Sequence, residues 1–103
     1  MKFGLTDKEL ESLSSIFSKK LSSGNIYIYG SRAKGNYTST SDIDLVIKGS
    51  QALSTNELAE IEDAIIESDI PYLCDIQYLE NISNQALLEH IARIGKLIYE
   101  TIN

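Results

Sequence analysis

Apolar residues recur at two different spacings along this chain, and each change of spacing marks a new element. Thr6 to Glu9 has the pattern of a capping box at the start of a helix. The apolar positions that follow have helical spacing, and they are Leu10, Leu13, Ile16, Phe17 and Leu21. Ser22-Ser23-Gly24 is predicted to end this helix. The run from Ile26 to Tyr29 is β-branched and aromatic and is bounded by glycines, so it predicts a strand.

The rest of the chain predicts two more strands and two more helices. Asp42 to Lys48 alternates, which predicts a strand with Ile43, Leu45 and Ile47 facing the core. A second capping box, Ser54-Thr55-Asn56-Glu57, opens a helix whose apolar stripe is Leu58, Ile61 and Ile65. Tyr72 to Tyr78 is predicted to be the third strand. A last helix is predicted from about Asn84 to Glu100, with the stripe Leu87, Ile91, Ile94 and Ile98.

This order of elements predicts one domain over residues 1–103 of the α/β class (α+β type). The order is helix, strand, loop, strand, helix, strand, helix, and the loop has room for a short helical turn. We expect two layers, a small mixed sheet with helices packed on one face. The other face carries the aspartates, and it would then be open or covered by another molecule.

Composition narrows the class of protein. The 103 residues are 43% hydrophobic and 23% charged, as in an ordinary soluble domain. No apolar run approaches the roughly 18 residues of a membrane span, and the start of the chain turns polar at once, so we expect no signal peptide. The lone Cys74 rules out an internal disulfide and favours a cytoplasmic setting. The net charge of −6 argues against an extended nucleic-acid surface.

Acidic residues on two predicted strands indicate a metal site. Asp42 and Asp44 are two residues apart on a strand, so their side chains point the same way. Without a cation they would repel each other, whereas Mg²⁺ is well matched to carboxylate oxygens. If the strand of Asp75 lies alongside, three carboxylates converge and two Mg²⁺ ions could bind. The alternatives are a solvated turn at Asp42 and Asp44, and an exposed or cation-paired Asp75.

Gly30-Ser31 ends the first strand and indicates a phosphate site. Glycine allows a sharp turn and a close approach of the backbone to a ligand. If Ser31 begins a helical turn, its hydroxyl and the free amides behind it favour an anion. Arg32 and Lys34 add positive charge. A plain connection is the alternative, but a phosphate site followed by a metal site indicates a nucleoside triphosphate bound with magnesium.

These residues resemble the motif of the DNA polymerase beta-type nucleotidyltransferase superfamily. The matching features are Gly30-Ser31, ten intervening residues, Asp42-Ile43-Asp44, and the later strand carboxylate Asp75. The short chain and its Gly-Ser-Arg-Ala string resemble the minimal nucleotidyltransferase branch. Members of that branch are often antitoxins paired with a HEPN-domain toxin.

The resemblance implies a role for each matching position. Gly30 and Ser31 would bind the β- and γ-phosphates of the nucleotide, and Asp42 and Asp44 would hold the metal ions. Asp75 would complete the site on the ion that activates the acceptor hydroxyl. Arg32 and Lys34 match the variable loop between the two halves of the motif, and they are assigned to nucleotide binding.

We therefore expect a Mg²⁺-dependent enzyme that transfers AMP from ATP to a hydroxyl of a HEPN toxin and so acts as its antitoxin. One alternative is an antitoxin that caps the toxin without catalysis. Another is a nucleotidyltransferase that acts on RNA or on a small molecule. Outside this motif, His90 is expected to be a surface or helix-side residue, and Cys74 a small buried hydrophobe.

Overall fold

The computed structural model describes residues 1–21, 23–49 and 55–101. In chain order the elements are α1 (Asp7–Lys20), β1 (Asn25–Tyr29), α2 (Gly30–Lys34), β2 (Ile43–Lys48), α3 (Thr55–Ile66), β3 (Cys74–Tyr78), α4 (Gln85–Ile94) and β4 (Lys96–Glu100). A short 3-10 helix, Leu79–Asn81, precedes α4. Within these ranges, every helix is too short or too polar to cross a bilayer.

The first helix begins as its capping box predicts. The Glu9 amide donates to the Thr6 hydroxyl at 3.1 Å, and the Thr6 amide donates to the Glu9 carboxylate at 2.8 Å. Both amides would otherwise lack a partner in the helix. The helix ends at Lys20, just before the predicted stop at Ser22-Ser23-Gly24. Ser22 and the second predicted cap at Ser54 lie outside the described residues.

The four strands form one mixed sheet in the order β3-β2-β1-β4. β1 is antiparallel to both β2 and β4, and β2 is parallel to β3. The register places Asp44 opposite Tyr29 on one side and beside Asp75 on the other. The predicted α/β class with a small mixed sheet is confirmed, and so is a helical turn, α2, between the first two strands.

The predicted last helix is wrong beyond Ile94, because the chain turns at Gly95 and adds the strand β4. The Gly95 amide donates to the Ile91 carbonyl at 2.8 Å and closes α4. Ile98 continues the helical spacing of the stripe in sequence, but it packs against the main core from β4. A β-branched and aromatic segment that pairs with β1 therefore had the apolar spacing of a helix by coincidence.

Apolar side chains cover both faces of the sheet. The main core lies under α1 and α3 and includes Leu13, Phe17, Ile28, Leu45, Ile61 and Ile65. A smaller cluster on the opposite face joins Tyr29 and Val46 to Ile91 of α4. The prediction that the helices share one face thus holds for α1 and α3 but not for α4. The apolar Val46 on the aspartate face explains why α4 packs there.

Candidate functional site

Gly30 follows β1 directly and needs to be glycine for two reasons. Its φ is +75°, in the left-handed region that side chains disfavour. A Cβ at this position would also collide with the carboxylate of Asp44. The turn after β1 therefore brings backbone close against an acidic side chain on β2.

His90 holds this turn from the other side, so the predicted helix-side residue makes a contact that its sequence context does not indicate. The Gly30 amide donates to Nε2 of His90 at 3.1 Å, across 60 residues of chain. The His90 ring meets the Tyr29 ring edge to face, with centroids 6.2 Å apart. No local pattern reveals this contact. The only sequence signal is that His90 precedes Ile91, which lies on the apolar stripe of α4.

The structure brings the predicted carboxylates into mutual range. Asp44 and Asp75 are register partners on β2 and β3, and Asp42 stands just before β2. The pKa of Asp44 is raised, first by burial and then by the charges of Asp75 and Asp42, while His90 acts in the opposite direction. Asp42 and Asp75 are exposed. The site therefore concentrates negative charge that a cation would neutralise.

Carboxylates alone do not complete a metal cage here. Among residues 1–21, 23–49 and 55–101, no three side chains of His, Cys, Asp or Glu are grouped closely enough to hold a metal ion. Mg²⁺ commonly binds through one or two carboxylates and takes its other ligands from water and substrate phosphates. The chemistry of Asp44 and its acidic neighbours fits that mode of binding.

Arg32 is buried, and this corrects its predicted contact with a nucleotide. Its Nε and Nη2 atoms donate to the Ser41 carbonyl at 3.1 and 2.8 Å, and Nη1 donates to the Phe3 carbonyl at 2.9 Å. The guanidinium carbon lies 4.2 Å from the centre of the Tyr72 ring. These partners leave the side chain, which is 2% exposed, no path to a phosphate. Arg32 instead fixes the peptide that leads into Asp42.

The other two residues of the predicted phosphate site lie on α2. Ser31 is half-buried, and its carbonyl accepts a bond of 2.9 Å from the Gly35 amide. Lys34 is exposed. Their contacts with a nucleotide stay predictions.

Tyr29 and Cys74 are close to the acids but are poor reacting groups. The pKa of Tyr29 is raised to about 12 by burial and then by Asp44 and Asp75, against a smaller opposite effect of the bond from Gln77. The pKa of the Cys74 thiol is raised to about 12, first by burial and then by Asp75 and other acids. Both groups stay protonated near neutral pH. Cys74 packs against the main core, but it is half-buried and not fully buried as predicted.

Comparison with protein families identifies the domain. The family model described as polymerase beta, nucleotidyltransferase, matches residues 11–102. No curated protein sequence matches the chain.

Several solved structures share the fold. The crystal structure of a toxin–antitoxin with AMP-PNP is 19% identical over 89% of this chain and 73% of that chain, with a TM-score of 0.74. The tri-AMPylated Shewanella oneidensis HEPN toxin in complex with its MNT antitoxin gives a chain 16% identical over 94% of this chain and 74% of that chain, with a TM-score of 0.71. The toxin–antitoxin MntA-HepT gives 16% identity, 93% and 74% coverage, and a TM-score of 0.69.

At these identities the structural comparison shows a shared fold, and the family match covers nearly the whole chain. The resemblance noted for Gly30-Ser31 and the paired aspartates is confirmed at the level of the superfamily. The chain belongs to the polymerase beta nucleotidyltransferase family.

Proposed function

We propose that this protein transfers AMP from ATP to a hydroxyl group of a HEPN-domain toxin in the cytoplasm and thereby acts as its antitoxin. One observation carries the proposal: Gly30, in a left-handed turn, lies against Asp44, which is itself the neighbour of Asp75. A close-approach glycine beside paired acids suits a triphosphate that arrives with a cation. Two similar structures support the substrates, one holding AMP-PNP and one an AMPylated HEPN toxin.

The turn after β1 is assigned to the phosphates. The absence of a side chain at Gly30 lets the Asp44 carboxylate lie against the turn. The β- and γ-phosphates would bind at this turn, where Ser31 would offer its hydroxyl and amide. His90 orients the peptide of Gly30 through the bond of 3.1 Å and so keeps the turn in shape between substrates. Lys34 is the exposed cation nearest to this turn in sequence and would neutralise phosphate charge.

Asp42, Asp44 and Asp75 are assigned to Mg²⁺, with two ions expected, each held by one or two of these carboxylates and completed by water and substrate phosphates. Bound Mg²⁺ supplies charge that offsets the phosphates and makes the acceptor hydroxyl easier to deprotonate. Arg32 contributes indirectly, because its two bonds to the Ser41 carbonyl position the residue before Asp42.

The transfer is an in-line displacement at the α-phosphorus. The acceptor oxygen forms a bond to the α-phosphorus while the bond from that phosphorus to the bridging oxygen of the β-phosphate breaks. Pyrophosphate leaves with the bonding electron pair and remains against Gly30 and Ser31. The hydroxyl proton passes to the carboxylate of Asp75, which is exposed and can release it to water.

Intact-mass measurement tests this function. The chain is co-expressed with the HEPN-domain protein of the same genome, and the mass of that protein is compared with its mass after co-expression with Asp42→Asn. We expect an increase of one or more AMP groups with the wild type alone. Equal masses in a pair that still suppresses toxicity would contradict transfer and would favour inhibition by capping.

A further inference from the structure

The strand order separates the two ends of the proposed reaction. Gly30 and Ser31 follow β1, Asp44 lies on the central strand β2, and Asp75 lies on β3 at the edge of the sheet. In an in-line displacement the attacking oxygen and the leaving group are on opposite sides of the phosphorus. With pyrophosphate held near Gly30, the acceptor hydroxyl has to approach from the side of β3.

A cleft lies on that side. Its volume is about 300 Å³, and its lining combines the start of β3, the end of α3 and the residue before β2. We call it the acceptor cleft, and it is lined by Asp42, Glu62, Ile65, Ile66, Leu73, Cys74 and Asp75. Two of the proposed metal ligands, Asp42 and Asp75, are part of this lining. The cleft therefore borders the proposed metal site.

The acceptor cleft exposes apolar surface together with negative charge. Leu73 is 70% exposed and Ile66 is 69% exposed. Single exposed apolar side chains are common, but two beside a reactive site indicate a surface that another molecule covers. The lining also holds three acids and neither lysine nor arginine. An occupant with apolar and basic side chains would complement it in both respects.

We propose that the acceptor cleft docks the polypeptide segment that carries the acceptor hydroxyl, which deepens the proposed function and rests on it. An apolar side chain of that segment lies against Leu73 and Ile66, and a lysine or arginine faces Glu62. The hydroxyl is thereby delivered to the side of the α-phosphorus opposite pyrophosphate. Such docking supplies the orientation that a domain of this size otherwise lacks.

The same lining selects against nucleic acid as the acceptor. Of the three acids that line the cleft, Glu62 is the one not assigned to Mg²⁺, and its charge would repel the phosphates of an RNA end. A protein acceptor with a basic flank is attracted by the same charge.

Steady-state kinetics on matched variants test the docking. The HEPN-domain protein of the same genome is the probe, and the variants are the double change Leu73→Thr with Ile66→Thr and the control Leu97→Thr. Leu97 is also an exposed leucine, at 47%, but it lies on β4 at the opposite edge of the sheet. Both cleft residues are mostly exposed, so thermal melting should show an intact fold.

We expect the double variant to raise the KM for the toxin about tenfold, the loss expected when two apolar contacts are removed. The KM for ATP and the kcat at saturating toxin should stay within about twofold. The variant Glu62→Lys should also raise the KM for the toxin, while Leu97→Thr should behave like the wild type. An unchanged KM in the double variant would overturn the docking site.

Binding measurements separate this proposal from the proposed function. If the wild type adds no AMP to the toxin, the transfer proposal fails, and the dissociation constant of the complex then decides the docking. Weaker binding by the double variant alone supports the cleft. Equal binding, or no binding by the wild type, overturns it. The double change could instead lower self-association and leave toxin binding unaltered. That result would identify a second copy of the chain as the occupant, and it would also overturn the proposal.

Discussion

The two sides of the site are built in opposite ways. Residues 30–32, which we call the anchored turn, are tied to distant parts of the chain: Gly30 bonds to His90, and Arg32 bonds to Ser41 and Phe3. On the other side, the acceptor cleft lies along an edge strand with Leu73 and Asp75 exposed. In the proposed reaction the triphosphate presents the same groups in every turnover, so its side can be rigid. The proposed acceptor has to enter from outside, so its side has to be open.

This contrast predicts different effects for substitutions on the two sides. Changes in the anchored turn should alter folding or nucleotide binding, because its contacts join segments that are far apart in sequence. Changes in the acceptor cleft should alter recognition of the partner and little else. Between them lie the carboxylates, where the largest loss of transfer is expected.

The largest effect is expected for Asp44→Asn. Loss of this carboxylate removes a proposed metal ligand, and transfer should fall by at least about 100-fold, since such ions supply several kcal/mol of transition-state stabilisation. Initial rates of AMP incorporation at saturating Mg²⁺ measure the loss. Asp63→Asn, an exposed acid on α3, is the control and should retain full activity. Near-normal transfer by Asp44→Asn would rule out the metal assignment.

A pair of glycine variants measures the close approach at the anchored turn. Gly30 and Gly35 both have positive φ, at 75° and 96°, so Gly30→Ala and Gly35→Ala impose similar backbone strain. Only at Gly30 would the new methyl group collide with Asp44, because no atom lies within 4 Å of the corresponding position at Gly35. We expect Gly30→Ala to weaken binding of a non-hydrolysable ATP analogue by about 10- to 100-fold, or roughly 1.4–2.7 kcal/mol.

Calorimetry with Mg²⁺ present gives both affinities. Gly35→Ala should bind the analogue with an affinity close to that of the wild type. If the two variants lose affinity equally, strain rather than close approach explains the effect.

Arg32→Lys should mainly destabilise the fold. A lysine cannot reproduce the three bonds to the Ser41 and Phe3 carbonyls, and hydrogen bonds from charged groups contribute about 1.5–3 kcal/mol each. We expect a loss of roughly 2–3 kcal/mol, and a fall in Tm of at least about 8 °C by differential scanning calorimetry. The exposed neighbour Lys34→Ala should change stability by less than about 0.5 kcal/mol. A normal Tm combined with lost ATP binding would return Arg32 to the phosphate site.

His90 should affect nucleotide affinity more than turnover. His90→Phe keeps a ring beside Tyr29 but leaves the Gly30 amide without its acceptor, at a cost of about 1 kcal/mol. The KM for ATP should rise about fivefold with little change in kcat, and His90→Gln, which offers an acceptor oxygen, should recover part of the loss. A large fall in kcat at unchanged KM would instead place His90 among the reacting groups.

The smallest effect concerns stability and pH. The pKa of Asp44 is raised above its ordinary 3.8 in the folded protein. At pH values between the ordinary and the raised pKa, the folded state therefore binds more protons than the unfolded state. Stability is therefore highest below the ordinary pKa and falls as the pH rises through the raised one. At about pH 7, Asp44→Asn should raise Tm by roughly 2–4 °C, which corresponds to a gain in stability of about 0.5 kcal/mol. At about pH 3 it should leave Tm unchanged. An equal gain at both pH values would mean that the charge of Asp44 is not its cause.

Local features of the sequence were sufficient to predict several elements and the central residues of the candidate site. The capping box at Thr6 and Glu9 requires only four consecutive residues, and β2 follows from alternation over Asp42 to Lys48. The turn at Gly30 could be predicted because glycine's conformational freedom is a local property of the backbone at that point. The pairing of Asp44 with Asp75 could be anticipated because both are on strands and parallel neighbours bring like positions together.

Tertiary structure decided the contacts that join distant segments. The spacing of Ile91, Ile94 and Ile98 fits a helix, and only pairing with β1 shows that the last of them belongs to a strand. Sequence places Arg32 in the motif loop, but the direction of its side chain depends on carbonyls at Phe3 and Ser41. His90 reaches Gly30 because α4 folds over Val46, an apolar residue on the acidic face. Periodicity determines which side of an element is apolar, whereas packing determines which elements meet.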